Sequence, residues 1–413
     1  MSPNKVSQPQ PVQNQDLPIE ESTSPSVHHG GRKWTWLRAM GDFFCSLFQA
    51  ISWVFSKTTD LFISNDPEVT KKHGHGVEND ANSCYIISTL QALRWCNIPQ
   101  LLLETEDHPS QNVVQLRKYV TKLCTTMQKR ELRDREINYF KRLCFQNGFL
   151  GNNDNLAVDE LWDDQQDANE FFLFLVDRLQ MPQFNITTRT KHGLPKDSVK
   201  SVKATSSEKI HTLFLRIHHA KEGSSIQSLI DSNYTKESIG KDSIEQNKLA
   251  SCPPHIQRAY GPQGGAEGHK KRFSLSLSSA HHLSCDDCPD ILPVTLARFT
   301  ALEDGSAEKV SKPIHTSPTL TLPVDCSHGE SNKKARYAWH ATVIHSGSAD
   351  DGHYYMYGNS PAVNEDKGVV LYSDEKVRFY KKKKGDTNPF SSSIAKDCDK
   401  NGYIHFYKFQ EFV

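Results

Sequence analysis

Gly76-Val-Glu-Asn-Asp-Ala-Asn-Ser-Cys84-Tyr-Ile-Ile-Ser-Thr-Leu-Gln91 runs from a polar turn straight into an apolar helical pattern. Asn82 or Ser83 stands where a helix N-cap is expected, and a helix is predicted over 84–95. Cys84 then falls in its first turn. There the helix dipole and the unpaired N–H groups favour a thiolate, which is the nucleophilic form of cysteine. A cysteine at a helix start is by itself more often a buried structural thiol, so the reading turns on whether the chain also supplies a base.

Such a base is offered by Tyr337-Ala-Trp-His-Ala-Thr-Val-Ile-His345-Ser-Gly-Ser-Ala-Asp-Asp-Gly352-His353-Tyr-Tyr-Met-Tyr357. A strand reaches a Gly-rich turn, and a second strand starts at Gly352-His353. A histidine at such an edge can take a thiol proton and later return it to a leaving amine. One histidine among the nineteen in the chain would mean little without the cysteine segment.

Together these segments resemble the Cys box (76–91) and the His box (337–358) of the ubiquitin-specific proteases. Three further stretches resemble elements of that family, in its order: Gln166-Asp-Ala-Asn-Glu170-Phe, Leu292-Pro-Val-Thr-Leu-Ala-Arg298-Phe299 and Gly402-Tyr-Ile-His-Phe-Tyr407. The resemblance implies an α+β, papain-like fold with a helical thumb and an antiparallel-sheet palm and fingers. It also implies a thiol-dependent deubiquitinase that cuts after the C-terminal glycine of ubiquitin or a ubiquitin-like modifier. In that alignment Cys84 is the nucleophile, His353 the base and Asn79 the oxyanion-hole side chain. Asp167 and Glu170 match positions that bind the basic residues of the modifier's tail. The alternative is a catalytically weak or inactive ubiquitin-binding module of the same fold. A papain-like peptidase for ordinary peptides is a further rival, opposed by Asp167 and Glu170.

The chain departs from the family pattern in three places. Ala81-Asn82-Ser83-Cys84 stands for the usual Gly-Asn-Thr-Cys, and Tyr85-Ile-Ile-Ser88 lacks the usual Asn before Ser. The fingers of the family often hold zinc through two Cys-x-x-Cys pairs. Here only Cys285-Asp-Asp-Cys288 is present, and Cys252 and His255, or His281 and His282, are poor substitutes in spacing. A tetrahedral site needs four ligands, so no metal or other cofactor is expected. Finally, Val370-Leu-Tyr-Ser373-Asp374-Glu-Lys-Val377 places Ser373 where the family usually has Asp or Asn. Ser373 or Asp374 must then orient His353. On a continuous strand their side chains would face opposite ways, so only one would reach it, and the spacing to Val377 favours Ser373.

The rest of the 413 residues frames this site. Acidic and basic residues balance at 49 each, which gives no general footprint for nucleic acid. Ten dispersed cysteines fit reduced thiols in a cytoplasmic setting, or host cytosol for an effector, rather than a disulfide scaffold. Residues 1–33 form a polar tail rich in Pro, Gln, Ser and Asn, with no signal-peptide pattern. In residues 34–63, Trp36, Met40, Phe43, Leu47, Ile51 and Val54 recur at three or four residues and make an apolar helical face. The fourteen uncharged residues between Asp42 and Lys57 are shorter than the about 20 a span requires. With Arg32, Lys33 and Arg38 upstream, a helix lying at a membrane surface is expected, against packing on protein as the alternative. Residues 64–75 read as a linker and 76–413 as the catalytic domain. Helical spacing over 165–180 and strands over 211–218, 272–279, 291–299, 337–345, 353–358, 368–373 and 402–409 complete the expectation, with 183–208 and 232–271 as long polar loops.

Overall fold

In the computed structural model, residues 67–79, 82–98, 110–150, 165–193, 202–232, 237–244, 273–302, 307–326, 333–349, 352–360, 368–382 and 390–413 are described. They belong to one compact unit, Asn65–Val413. The tail at 1–33, the apolar segment at 34–63, Cys252 and His255 lie outside the described residues. The linker expectation is corrected from Pro67 onward: helix α1 (Pro67–His73) forms there, with Thr70 and His73 buried. It is tied down because the His73 carbonyl accepts Arg94 Nη1 at 2.9 Å and the Tyr372 hydroxyl at 2.5 Å.

Helix α2 (Cys84–Trp95) has the predicted bounds and is buried from Cys84 to Arg94. A helix enclosed on all sides must satisfy its polar side chains internally. Ser88 and Thr89 donate to the Tyr85 carbonyl, Gln91 to the His75 carbonyl at 3.0 Å, and Arg94 Nε to Gln91 Oε1 at 3.0 Å. The last two bonds lash the turn that precedes the nucleophile to the far end of its own helix.

Around α2 pack α3 (Gln111–Met127), α4 (Asp134–Gln146) and α5 (Ala168–Arg178). Both α3 and α4 repeat apolar residues at helical spacing, Leu116, Val120 and Leu123 in one and Ile137, Phe140 and Cys144 in the other. Phe171 of α5 sits among Tyr85, Phe140 and Phe149, with ring centroids 5.4, 6.1 and 5.1 Å away in edge-on contacts. Truncating such a ring would cost about 3–5 kcal/mol.

Strands follow. The segments expected as loops instead contain β1 (Phe184–Gly193), β2 (Val202–Ile210) and β4 (Glu237–Ile244). These strands carry few apolar residues, so the alternation that marks a half-buried strand is missing. Between them lie β3 (Leu213–Arg216) and the short helix α6 (Ile226–Ile230), and after them β5 (Phe273–Ser284). The chain continues through β6 (Ile291–Ala297), the hairpin β7 (Phe299–Ala301) and β8 (Ala307–Lys309), and β9 (Thr319–Asp325). The long β10 (Lys334–Gly347), β11 (Gly352–Ser360), β12 (Gly368–Ser373), β13 (Lys376–Lys381), helix α7 (Ser392–Asn401) and β14 (Gly402–Phe412) close it.

Among the described residues twelve strands form one sheet, in the order β13-β12-β11-β10-β9-β5-β1-β2, with β14 joining β10 to β6. The sheet is mainly antiparallel, as expected, but β3 pairs with β6 and β5 with β9 in parallel. Its central part is covered on both faces. Tyr354, Met356, Val370 and Phe406 pack with the helices α2–α5, and Tyr357, Val369, Trp339 and Tyr407 pack on the side of α7. Strand alternation therefore decides which layer each residue serves.

Candidate active site

The turn before α2 is built on close backbone approach. A Cβ on Gly76 would collide with the carbonyls of Asp374 and Glu375, so only glycine fits there. Val77 N–H donates to the Asp374 carbonyl at 2.9 Å, which fastens the cysteine loop to the end of β12. The expected cap by Asn82 or Ser83 takes another form. Ser83 occupies the cap position but makes no side-chain cap bond. Asn82 adopts a left-handed backbone, with φ 41°. Instead, Asn79 Oδ1 accepts the Ser83 N–H at 3.1 Å.

Cys84 starts α2 and is 4 % exposed. The expectation that the helix start makes it a thiolate is corrected. Burial pushes the thiol up to about 11, against backbone N–H groups of Tyr354, Tyr85 and Cys84 itself, and the nearby Asp374 adds to the rise. Two or three donors cannot offset removal of the sulfur from water.

His353 is the second residue of β11, paired with Ser346 across the turn. Its Nε2 lies 3.0 Å from Ser373 Oγ and 3.6 Å from Asp374 Oδ2. Burial, helped by Lys376, holds the imidazole below its ordinary value, so it is neutral at neutral pH and able to accept a proton. Among the described residues no hydrogen bond joins Cys84 to His353; the resting pair is thiol and imidazole rather than an ion pair.

Ser373 and Asp374 do not divide as a continuous strand would make them. Ser373 ends β12, and Asp374 turns left-handed with φ 49°, a conformation Asp tolerates. Both side chains therefore reach the same imidazole nitrogen. Burial raises the Asp374 carboxyl to about 7, opposed by a hydrogen bond from Asn79 Nδ2, which donates to Oδ1 at 3.1 Å. Asn79 is thus held from both ends, and its amide nitrogen has a second N–H to offer.

Asp167 is not a bare surface carboxylate. Its Oδ1 accepts the N–H groups of Asn169 and Glu170 at 2.7 and 2.9 Å as the N-cap of α5, and its Oδ2 accepts the Tyr403 hydroxyl at 2.7 Å. Burial raises its pKa. Glu170 is exposed at the same helix end, and burial followed by the Asp167 charge raises its pKa as well. Gly352, before the base, has a buried His345 where a Cβ would stand. Tyr355 and Tyr403, which brace these residues, lie inside recognised segments that assign them no role, and Lys309 and Asp397 carry no motif that sequence reading could have used.

Cys285 and Cys326 both lie near enough to Cys288 to act on its charge, and the Asp325 carbonyl accepts the Cys285 N–H at 3.0 Å. Burial, opposed by the Tyr337 hydroxyl, pushes Cys288 up to about 11, and Cys285 and Cys326 add to it. Among the described residues no three His, Cys, Asp or Glu side chains gather as a metal ion would need. None of the eight described cysteines is in a disulfide.

The fold resembles that of the yeast SAGA deubiquitinating module. The structure of the Ubp8/Sgf11/Sus1/Sgf73 module bound to ubiquitin aldehyde matches at 16 % identity with a TM-score of 0.55, covering 90 % of this chain and 76 % of that one. The module bound to monoubiquitin matches at 15 % identity, with the same TM-score and coverage. A third structure of the yeast module matches at 16 % identity with a TM-score of 0.54, covering 90 % and 75 %. The family described as ubiquitin carboxyl-terminal hydrolase matches residues 75–407, from the turn before Cys84 to the last tyrosine of the closing strand, and the chain belongs to that family of cysteine-type deubiquitinases.

Proposed function

We propose that this chain hydrolyses the isopeptide bond after the C-terminal glycine of ubiquitin or a close relative, with Cys84 as nucleophile and His353 as base. One observation supports the reading above others: the Ser373 hydroxyl lies 3.0 Å from His353 Nε2, where it can orient the imidazole with Nδ1 as the proton acceptor. Substrate closes the gap. His353 takes the Cys84 proton, the sulfur attacks the glycine carbonyl, and the oxyanion is met by the second Asn79 N–H and backbone N–H groups at the start of α2. His353 then protonates the departing lysine amine, and water hydrolyses the thioester by the reverse relay. Glu170, with Asp167 beside it, receives the basic tail of the modifier.

The test is Cys84→Ala in the full chain. Hydrolysis of a ubiquitin conjugate should vanish while modifier binding persists, since little contact area is lost. Turnover near the parent level would refute the assignment. The inactive binding module is favoured by the burial of Cys84 and its pKa of about 11. Failure of a ubiquitin probe with an electrophilic C-terminus to label Cys84 would support that second reading, and faster turnover of a short peptide than of ubiquitin would point to an ordinary peptidase.

We also propose that residues 34–63 seat the protein at an anionic membrane surface from the cytosolic side. The supporting features are the apolar spacing and Arg32, Lys33 and Arg38. Among the described residues no helix is long and apolar enough to cross a membrane. Deleting residues 1–63 should release the protein from acidic vesicles in flotation and leave turnover intact. Equal flotation of both forms would refute the anchor.

A further inference from the structure

We propose that Tyr355 and Asp397 are positioning residues for the base: the ring of Tyr355, anchored through its hydroxyl to Asp397 of α7, holds the face of the His353 imidazole and stabilises the imidazolium that forms during catalysis. The inference rests on the assignment of His353 as base.

Along β11, His353, Tyr355 and Tyr357 share one face of the sheet, because alternate residues of a strand point the same way. The Tyr355 ring stacks on the imidazole, with centroids 5.8 Å apart and planes at 29°. Its hydroxyl donates to Asp397 Oδ2 at 2.7 Å, and Tyr357 donates to the same oxygen at 3.0 Å. Burial and the Asp397 charge keep the Tyr355 hydroxyl protonated, so it remains a donor. Asn401, one turn along α7, donates to Asp397 Oδ1 at 2.9 Å.

Lys309 of β8 holds the other strand of the hairpin. Lys309 Nζ donates to the carbonyls of His345 and Gly347 at 2.6 and 2.9 Å, where β10 turns toward His353, and to Asn401 Oδ1 at 3.4 Å. The hairpin carrying the base is therefore held on β11 by Asp397 of α7 and on β10 by Lys309 of β8, which Asn401 of α7 meets in turn.

Chemistry gives this brace a task. When His353 takes the thiol proton it becomes a cation. Ser373 can fix the ring in its plane but brings no charge, and the Asp374 carboxyl is itself partly protonated near neutrality. The face of an aromatic ring carries negative potential and attracts a cation above it. A phenol that donates to a carboxylate makes a charge-assisted bond, which both fixes the ring and enriches it in electron density.

The experiment compares Tyr355→Leu, Tyr355→Phe and Asp397→Asn in the full chain by three readouts: kcat/KM on a ubiquitin C-terminal amide across pH, the His353 titration followed by NMR of labelled imidazole, and the melting temperature. Tyr355→Leu should lower kcat/KM about tenfold through kcat, the scale of a partly desolvated cation–π contact. It should also lower the NMR pKa of His353 and move the acid limb of the rate profile the same way. Tyr355→Phe removes the tether and Asp397→Asn removes its charge while both keep the ring, so each should fall by less, and the two together should fall no further than Tyr355→Phe alone. A Tyr355→Leu protein that melts lower but keeps the parent His353 titration would overturn the proposal and reduce the contact to packing. The NMR arm needs no turnover, so it separates failure of this pair from failure of the deubiquitinase assignment.

Discussion

Ser373 and Asp374 differ by one position and one charge, and the left-handed turn between them brings both to one imidazole nitrogen. Loss of the Ser373 hydroxyl removes a neutral hydrogen bond, and Ser373→Ala should lower kcat/KM roughly tenfold, as about 1–1.5 kcal/mol does. Asp374 should announce itself through pH. Its carboxyl titrates at about 7 in the folded chain against 3.8 for the free group. Between those values the folded state binds more protons than the unfolded one, so stability falls as pH rises through the window, and the full penalty is present above it. Asp374→Asn should therefore raise the melting temperature at about pH 8 and leave it little changed at about pH 4. An equal shift at both would show that the carboxyl is not the titrating group. Cys84, His353 and Asn79 were legible in the sequence because motif spacing fixes which residue types meet. The state of the thiol was not, because its raised pKa comes from burial by parts of the fold that are distant in the chain.

Helix α5 joins two roles at one residue. Asp167 caps it and takes the Tyr403 hydroxyl, so Asp167→Ala should cost about 1–2 kcal/mol in denaturant unfolding, the usual worth of a cap. Asp167→Ser keeps a capping oxygen and should recover most of that stability while KM for the ubiquitin substrate stays raised. Glu170→Ala should raise KM and leave unfolding unchanged; an unaltered KM there would remove Glu170 from tail recognition. At this scale the helices and the aromatic strands of the palm were readable, since Phe171, Leu175 and Leu179 recur at helical spacing and Tyr354 and Met356 alternate with Tyr355 and Tyr357. The strands β1, β2 and β4 were not, because pairing such as Phe184 with Ile210 is set by partners across the sheet. Helix α1 was missed for a related reason: seven residues are too few to show a period, and its place is fixed by Arg94 and Tyr372.

Across the whole molecule, the nucleophile stands on the helical layer and the base on the sheet, so their meeting reports the docking of one on the other. The same layering determines how the protein answers to thiol reagents. Cys84 is buried and its thiol is protonated at neutral pH, whereas Cys285 and Cys326 are half-exposed on the sheet side. Small alkylating agents respond to access and thiolate fraction. Timed iodoacetamide labelling read by mass spectrometry should therefore mark Cys285 and Cys326 before Cys84, and early Cys84 labelling would contradict the buried resting thiol. A modifier-shaped electrophile should reverse that order, because it delivers its reactive carbon into the cleft. Partial alkylation would then yield protein that is chemically tagged yet fully active, and loss of total thiol would be a misleading gauge of inhibition.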